Sequence, residues 1–98
     1  MQLTNFLHLV NDLDKSYTIF FCKEKNGPQW PIFKVNLTSS KCILACQKDK
    51  KPKTIQDILY LFSRLKQKNI SLTVQSEGQE YHFFGIQIDP QRKRINLL

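Results

Sequence analysis

No stretch of this sequence approaches the ~20 consecutive apolar residues that a membrane-spanning helix needs, so no span is expected. Glycine occurs three times and proline four times, too rarely for a collagen-like or low-complexity chain. Acidic residues are scarce, eight against fifteen Lys and Arg. Cysteine is limited to Cys22, Cys42 and Cys46, an odd number that cannot form a closed set of disulfides. Free thiols suit a reducing compartment. The opening residues Met1-Gln2-Leu3-Thr4-Asn5 lack a charged region followed by an apolar run, so no secretory signal is read and a cytoplasmic location is expected. The sequons Asn36-Leu37-Thr38 and Asn69-Ile70-Ser71 are then idle, because glycosylation requires secretion.

Hydrophobic residues make up 41% of the 98 positions and aromatics 11%. That composition is globular rather than disordered. The length is that of one domain, residues 1–98, with no room for a second independent core. A chain of this size buries roughly two-thirds of its unfolded surface, enough for a core without disulfides or metal.

Two segments carry the apolar spacing of a helix face. Leu3, Phe6, Leu7, Val10 and Leu13 form one stripe, and Ile55, Ile58, Leu59, Phe62 and Leu65 form another, offset by 52 residues. Each is followed by β-branched and aromatic runs separated by polar turns. In the first half these are Tyr17 to Lys23, Phe33 to Leu37 and Cys42 to Cys46; in the second, Ile70 to Gln75, Phe84 to Ile88 and Arg94 to Leu98. The order helix–strand–strand–strand is thus read twice, as half-repeats over about residues 1–47 and 53–98. A basic connector, residues 47–53, joins them on the surface. Thr54 is placed to cap the second helix, and Arg64, Lys66 and Lys68 to complement its C-terminus. Short turns impose antiparallel pairing. The expected fold is α+β, an antiparallel sheet of five or six strands with two helices on one face.

Motifs of catalysis are missing. The sequence has no G-x-x-x-x-G-K, G-x-G-x-x-G, G-x-S-x-G or H-E-x-x-H. Cys42 and Cys46 lie on one strand, where four residues separate side chains by ~13 Å. Two sulfurs on one zinc sit only ~4 Å apart, so packing describes these thiols better than metal binding. A Cys22–His82 pair on neighbouring strands is conceivable, but packing roles are the simpler reading. Asp12 with Asp14 and Glu77 with Glu80 flank turns, and neither pair shares an apolar pocket that would split two proton affinities. The expectation is a non-enzymatic protein with no cofactor.

Two features carry functional content. The first strand shows a second apolar face, and Phe20, Cys22 and Trp30 are the candidate contact for a protein partner or for self-association. The second is charge. Residues 48–98 hold ten basic and five acidic groups, against five and three in residues 1–47. Two clusters stand out, Lys48, Lys50, Lys51 and Lys53 in the connector and Arg92, Lys93 and Arg94 near the C-terminus. Lysine-rich loops are commonly just solvated. Their functional reading is phosphate contact, with Trp30, Tyr17, Phe20 and Tyr81 as stacking platforms for single-stranded nucleic acid. A protein-interaction module leads, and a nucleic-acid-binding accessory protein is the alternative; the two are separated by whether the basic clusters share one face.

Overall fold

The computed structural model describes residues 1–24, 26–66 and 69–98. Helix α1 (Leu3–Val10) buries Leu3, Phe6 and Val10, three members of the first stripe. It has no side-chain N-cap; instead Leu3 N–H donates to the Ile70 carbonyl at 2.9 Å. At its other end the Lys15 ammonium donates to the carbonyls of Val10, Asn11 and Leu13, placing a positive charge where the helix ends. Helix α2 (Ile55–Ser63) buries Ile55, Ile58 and Phe62. Its Thr54 hydroxyl accepts from Asp57 N–H while the Asp57 carboxylate accepts from Thr54 N–H, a reciprocal capping box. Arg64 stands at the C-cap, and Lys68 lies outside the described residues.

Seven strands follow the helices: β1 (Thr18–Cys22), β2 (Gln29–Leu37), β3 (Lys41–Cys46), β4 (Ser71–Ser76), β5 (Gln79–Tyr81), β6 (Ile86–Asp89) and β7 (Arg94–Leu97). They form one sheet in the order β5-β4-β3-β2-β1-β7-β6. The expected antiparallel sheet of five or six strands with both helices on one face is overturned: the sheet is mixed and has seven strands. Every pair joined by a short turn is antiparallel, as expected. The two remaining joints are parallel, β3 with β4 and β1 with β7. Between β3 and β4 the chain passes through α2, and this helical crossover carries it back to the end of the sheet where β3 began, so that β4 runs parallel to β3. Tight turns alone impose antiparallel pairing; the crossover through α2 is what admits a parallel joint.

The second half also carries one strand more than helix–strand–strand–strand. Glu77 and Gly78 both have positive φ, 52° and 79°, and fold β4 onto the three-residue β5, the geometry of a two-residue hairpin turn. Residues 82–85 then lead to β6 at the opposite edge of the sheet. Five steps of chain between Tyr81 and Ile86 reach at most roughly 18 Å. The sheet must therefore curl until its two edges approach, and no flat face is left on which to lay both helices. The inner side is a single core that takes Phe6 and Phe62 from the helices, Phe83 from the link, and Ile19, Ile32, Leu44, Leu72, Val74, Ile95 and Leu97 from the strands.

The segment before each helix is drawn into the same sheet. Gln2 bridges Ser71 at the start of β4, and Thr54 bridges Thr18 at the start of β1. The connector is exposed from Gln47 to Lys51 but stitched down by its backbone. Gln47 N–H donates to Pro31 O, Lys53 N–H to Ile32 O at 2.7 Å, and Ile19 N–H to Lys53 O. Those bonds fix where its lysines emerge.

Candidate functional site

Strand β2 changes partner midway, and the candidate site is built around that change. Gln29, Trp30 and Pro31 pair with β1, whereas Ile32 to Leu37 pair with β3. Pro31 offers no N–H, which suits the position where one ladder ends. The register with β3 then slips between Ile32 and Lys34, leaving Phe33 as the extra residue of a bulge. Trp30 is half-buried beside this break and borders three separate hollows.

The first is a groove of about 460 Å³ lined by Phe20, Pro28, Gln29, Trp30, Pro31, Lys48, Asp49, Lys50 and Arg94. Lys48 and Lys50 come from the connector and Arg94 from β7, so members of both basic clusters meet on one surface. The Arg94 guanidinium lies over the Phe20 ring, and its Nη1 donates to Gln29 Oε1 at 3.1 Å. The Lys50 ammonium lies 5.6 Å from the centre of the Phe33 ring. Cation–aromatic pairing of this kind holds long side chains against the protein surface.

The other members of the clusters stand elsewhere. Lys51 and Lys53 lie beside the capped end of α2, where their charges help hold the Asp57 carboxyl below its usual range, after the Thr54 backbone hydrogen bond that does most. Arg92 pairs with Asp89 at 3.6 Å in the β6–β7 turn. Lys93, with φ at 55°, contributes to the lowered Asp14 carboxyl, whose main causes are hydrogen bonds from Ser16. None of these four lines the groove.

The second hollow, about 200 Å³, shares Pro28 and Trp30 with the groove. Its walls are Phe21, Pro28 and Trp30, and its rim is Lys23, Glu24, Ser76 and Glu77. The third is lined by Trp30, Phe33, Ala45, Cys46, Gln47, Gln75, Glu77 and Gly78. Phe33, Pro28 and Glu24 carry no functional expectation from the sequence, and Glu77 is expected only as one of two carboxylates flanking a solvated turn, whereas it borders the second, apolar hollow. The available signal was Trp30-Pro31 directly after the Asn26-Gly27-Pro28 turn, a pattern that marks an interrupted strand.

Of the three residues expected to contact a protein partner, Phe20 and Trp30 are half-buried. Cys22 is 7% exposed, and its thiol donates to Glu24 O at 2.8 Å inside the turn that follows β1. His82 lies in the link between β5 and β6, and neither of those strands neighbours β1. Burial pushes the Cys42 thiol up to about 12 and raises that of Cys46. Among the described residues no three His, Cys, Asp or Glu side chains gather as a metal site would need. No described helix is long and apolar enough to cross a membrane.

The largest exposed apolar side chain is Phe84, 84% accessible in the link, with Ile88 on the edge strand β6 and Leu98 also exposed. Phe84 N–H and Leu98 N–H continue the β6–β7 ladder by bonding to Leu98 O and Gly85 O. No protein-family model, curated protein or solved structure matches this chain.

Proposed function

We propose that this chain is a non-enzymatic module of the cytoplasm that binds single-stranded nucleic acid along the groove between the connector and β7. The observation that supports this reading is the convergence of Lys48, Lys50 and Arg94 with Phe20 and Trp30 on one surface. A net charge of +7 favours encounter with a polyanion. Cations alternating with aromatic rings are the equipment for phosphates and unpaired bases. Duplex recognition through a helix has less to rest on, since the last turn of α2 holds no basic residue and that of α1 only His8.

The test is fluorescence anisotropy of labelled single- and double-stranded oligonucleotides at two salt concentrations. Salt-sensitive binding that prefers the single strand is expected. Replacing Lys48 and Lys50 together by Ala should lower the slope of log affinity against log salt by about 1.4, at ~0.7 per phosphate contact. Flat titrations at low salt would retire the reading.

A second reading, a partner-binding module that associates with another copy of itself, is favoured by one specific observation: Phe84 projects beside an unpaired edge strand. Exposed apolar edges of this kind are the usual substrate of strand-to-strand association. Light scattering across a concentration series tests it. A dimer that Phe84→Asp dissolves would support it, and a monomer at every concentration would end it.

A further inference from the structure

Trp30 borders two surfaces of opposite net charge. The groove holds Lys48, Lys50 and Arg94 against Asp49, whereas the neighbouring hollow carries Glu24 and Glu77 against Lys23 on its rim. A phosphate backbone is attracted to the first and repelled by the second. The hollow is nevertheless lined for an aromatic guest, because Phe21, Pro28 and Trp30 supply its apolar walls. At about 200 Å³ it falls below the roughly 300–1,000 Å³ of pockets that enclose drug-sized ligands. It suits one flat ring system rather than a whole nucleotide.

We infer that this hollow takes a single nucleobase from a strand lying in the groove, and that the base it prefers is guanine. The inference rests on the nucleic-acid reading of the groove and adds the specificity of one position. A carboxylate is an acceptor with two oxygens, and an ammonium is only a donor. The pairing edge of guanine offers two adjacent donors, the ring N1–H and the exocyclic amino group, beside one acceptor, the carbonyl oxygen. One carboxylate of Glu24 or Glu77 accepts from both donors, while the Lys23 ammonium, which lies 5.0 Å from the centre of the Tyr81 ring, turns from it to donate to the carbonyl. Adenine and cytosine bring one amino group each next to a ring acceptor that would face a carboxylate. Thymine has a single donor between two carbonyls and no amino group. A carboxylate left unpaired against a carbonyl is the repulsive contact that creates discrimination.

The test compares labelled oligothymidylates of about twelve nucleotides, within the ~4–16 that one small binding fold covers. One probe is all thymine, and the others carry one central guanine, adenine, cytosine or hypoxanthine. The guanine probe should bind about tenfold tighter than the all-thymine probe, with hypoxanthine, which lacks the exocyclic amino group, in between. In the protein carrying both Glu24→Gln and Glu77→Gln, the ratio of guanine to thymine affinity should collapse toward one. A thermal melt of that variant shows that it is folded. Tight, salt-sensitive binding with equal affinity for every probe would overturn the base pocket and leave the groove reading standing. A guanine preference that survives both substitutions would also overturn it. No binding of any probe at low salt would remove the groove reading and this one together.

Discussion

The guanidinium carbon of Arg94 lies 3.8 Å from the centre of the Phe20 ring. The two residues are on adjacent parallel strands, where Arg94 pairs in register with Thr18, so its side chain reaches along β1 to cover the next residue on the same face. Its Nη1 continues to Gln29 on β2, and one side chain therefore laces three strands. Among the described residues its buried Nε has no partner. The geometry depends on a flat, forked cation.

Arg94→Lys separates that fork from its charge. Lysine keeps the positive charge but loses the planar stack and the directed bond to Gln29. A loss of about 1 kcal/mol in stability is expected, the upper range for a partly exposed cation–aromatic contact. Urea denaturation would show it as a lower midpoint with an unchanged slope. Oligonucleotide affinity should fall as well, because the lysine is no longer pinned in the groove. A variant equal to the parent in both respects would show that the stack is incidental.

Thr54 offers a cleaner test of local energetics. Thr54→Ala removes one half of the capping box and should cost about 1 kcal/mol, or roughly 4–8 °C in midpoint for a chain of this length. Asp57 supplies the other half. Its carboxyl is held below the usual 3.8, first by the Thr54 backbone hydrogen bond. A lowered folded-state value means that the contribution is present above the unfolded value and fades as pH falls through the folded one. Because Asp57 is largely exposed, the effect is small. Thermal melts of Asp57→Asn should therefore lie below the parent at pH 7 and approach it below about pH 4. A gap that persists at pH 2 would mean the carboxylate's charge is not what stabilises the helix start.

The capping box was legible because its signals are local: a threonine before an apolar stripe and an aspartate three residues on. The helix stripes, six of the seven strands and the antiparallel pairings β1–β2, β2–β3 and β6–β7 were legible for the same reason, since alternation and turn chemistry act over a few residues. β5 was not, because Gln79-Glu80-Tyr81 has no apolar alternation. It is a strand only because the Glu77-Gly78 turn lays it against β4 and Lys41 on β3 ties Glu80 at 2.8 Å. The parallel pairings of β3 with β4 and β1 with β7 are long-range, and no residue pattern encodes which strands meet. The site shows the same division. Lys48, Lys50, Arg94, Phe20 and Trp30 were each nameable from the sequence. Their meeting depends on the connector being bonded across β2 and β1 by Gln47, Lys53 and Ile19.

Phe6 and Phe83 meet edge to face, with ring centres 6.3 Å apart and planes at 90°. Both are fully buried, and the contact ties α1 to the link that brings the two sheet edges together. Truncating either to alanine would cost about 3–5 kcal/mol, much of the ~5–15 kcal/mol that holds such a domain folded. Leucine substitutions are gentler. A double-mutant cycle of Phe6→Leu and Phe83→Leu should return a coupling of about 0.5–1.5 kcal/mol, the value of an aromatic pair beyond its buried area. A coupling near zero would mean that the helix and the link are held independently.

Cys42 tests the interior of the sheet. It sits on β3, paired with β2 on one side and β4 on the other, and no part of it reaches solvent. Burial raises its thiol to about 12, so at pH 8 only about one molecule in ten thousand carries the reactive thiolate. Iodoacetamide should leave Cys42 unmodified in the folded protein and alkylate it fully in urea, as peptide mass spectrometry would show. Any slow native-state labelling then measures opening of β3, because the reagent cannot reach the sulfur while both neighbouring strands stay paired. Cys46, also raised by burial, should follow the same course. Protection of these thiols cannot be explained by a Cys42–Cys46 disulfide, since side chains four residues apart on a strand are ~13 Å apart and the bond requires Cα atoms within about 7 Å. Rapid labelling of Cys42 at pH 8 without denaturant would mean that β3 is not paired on both sides in solution, and the curled sheet would lose one of its inner strands.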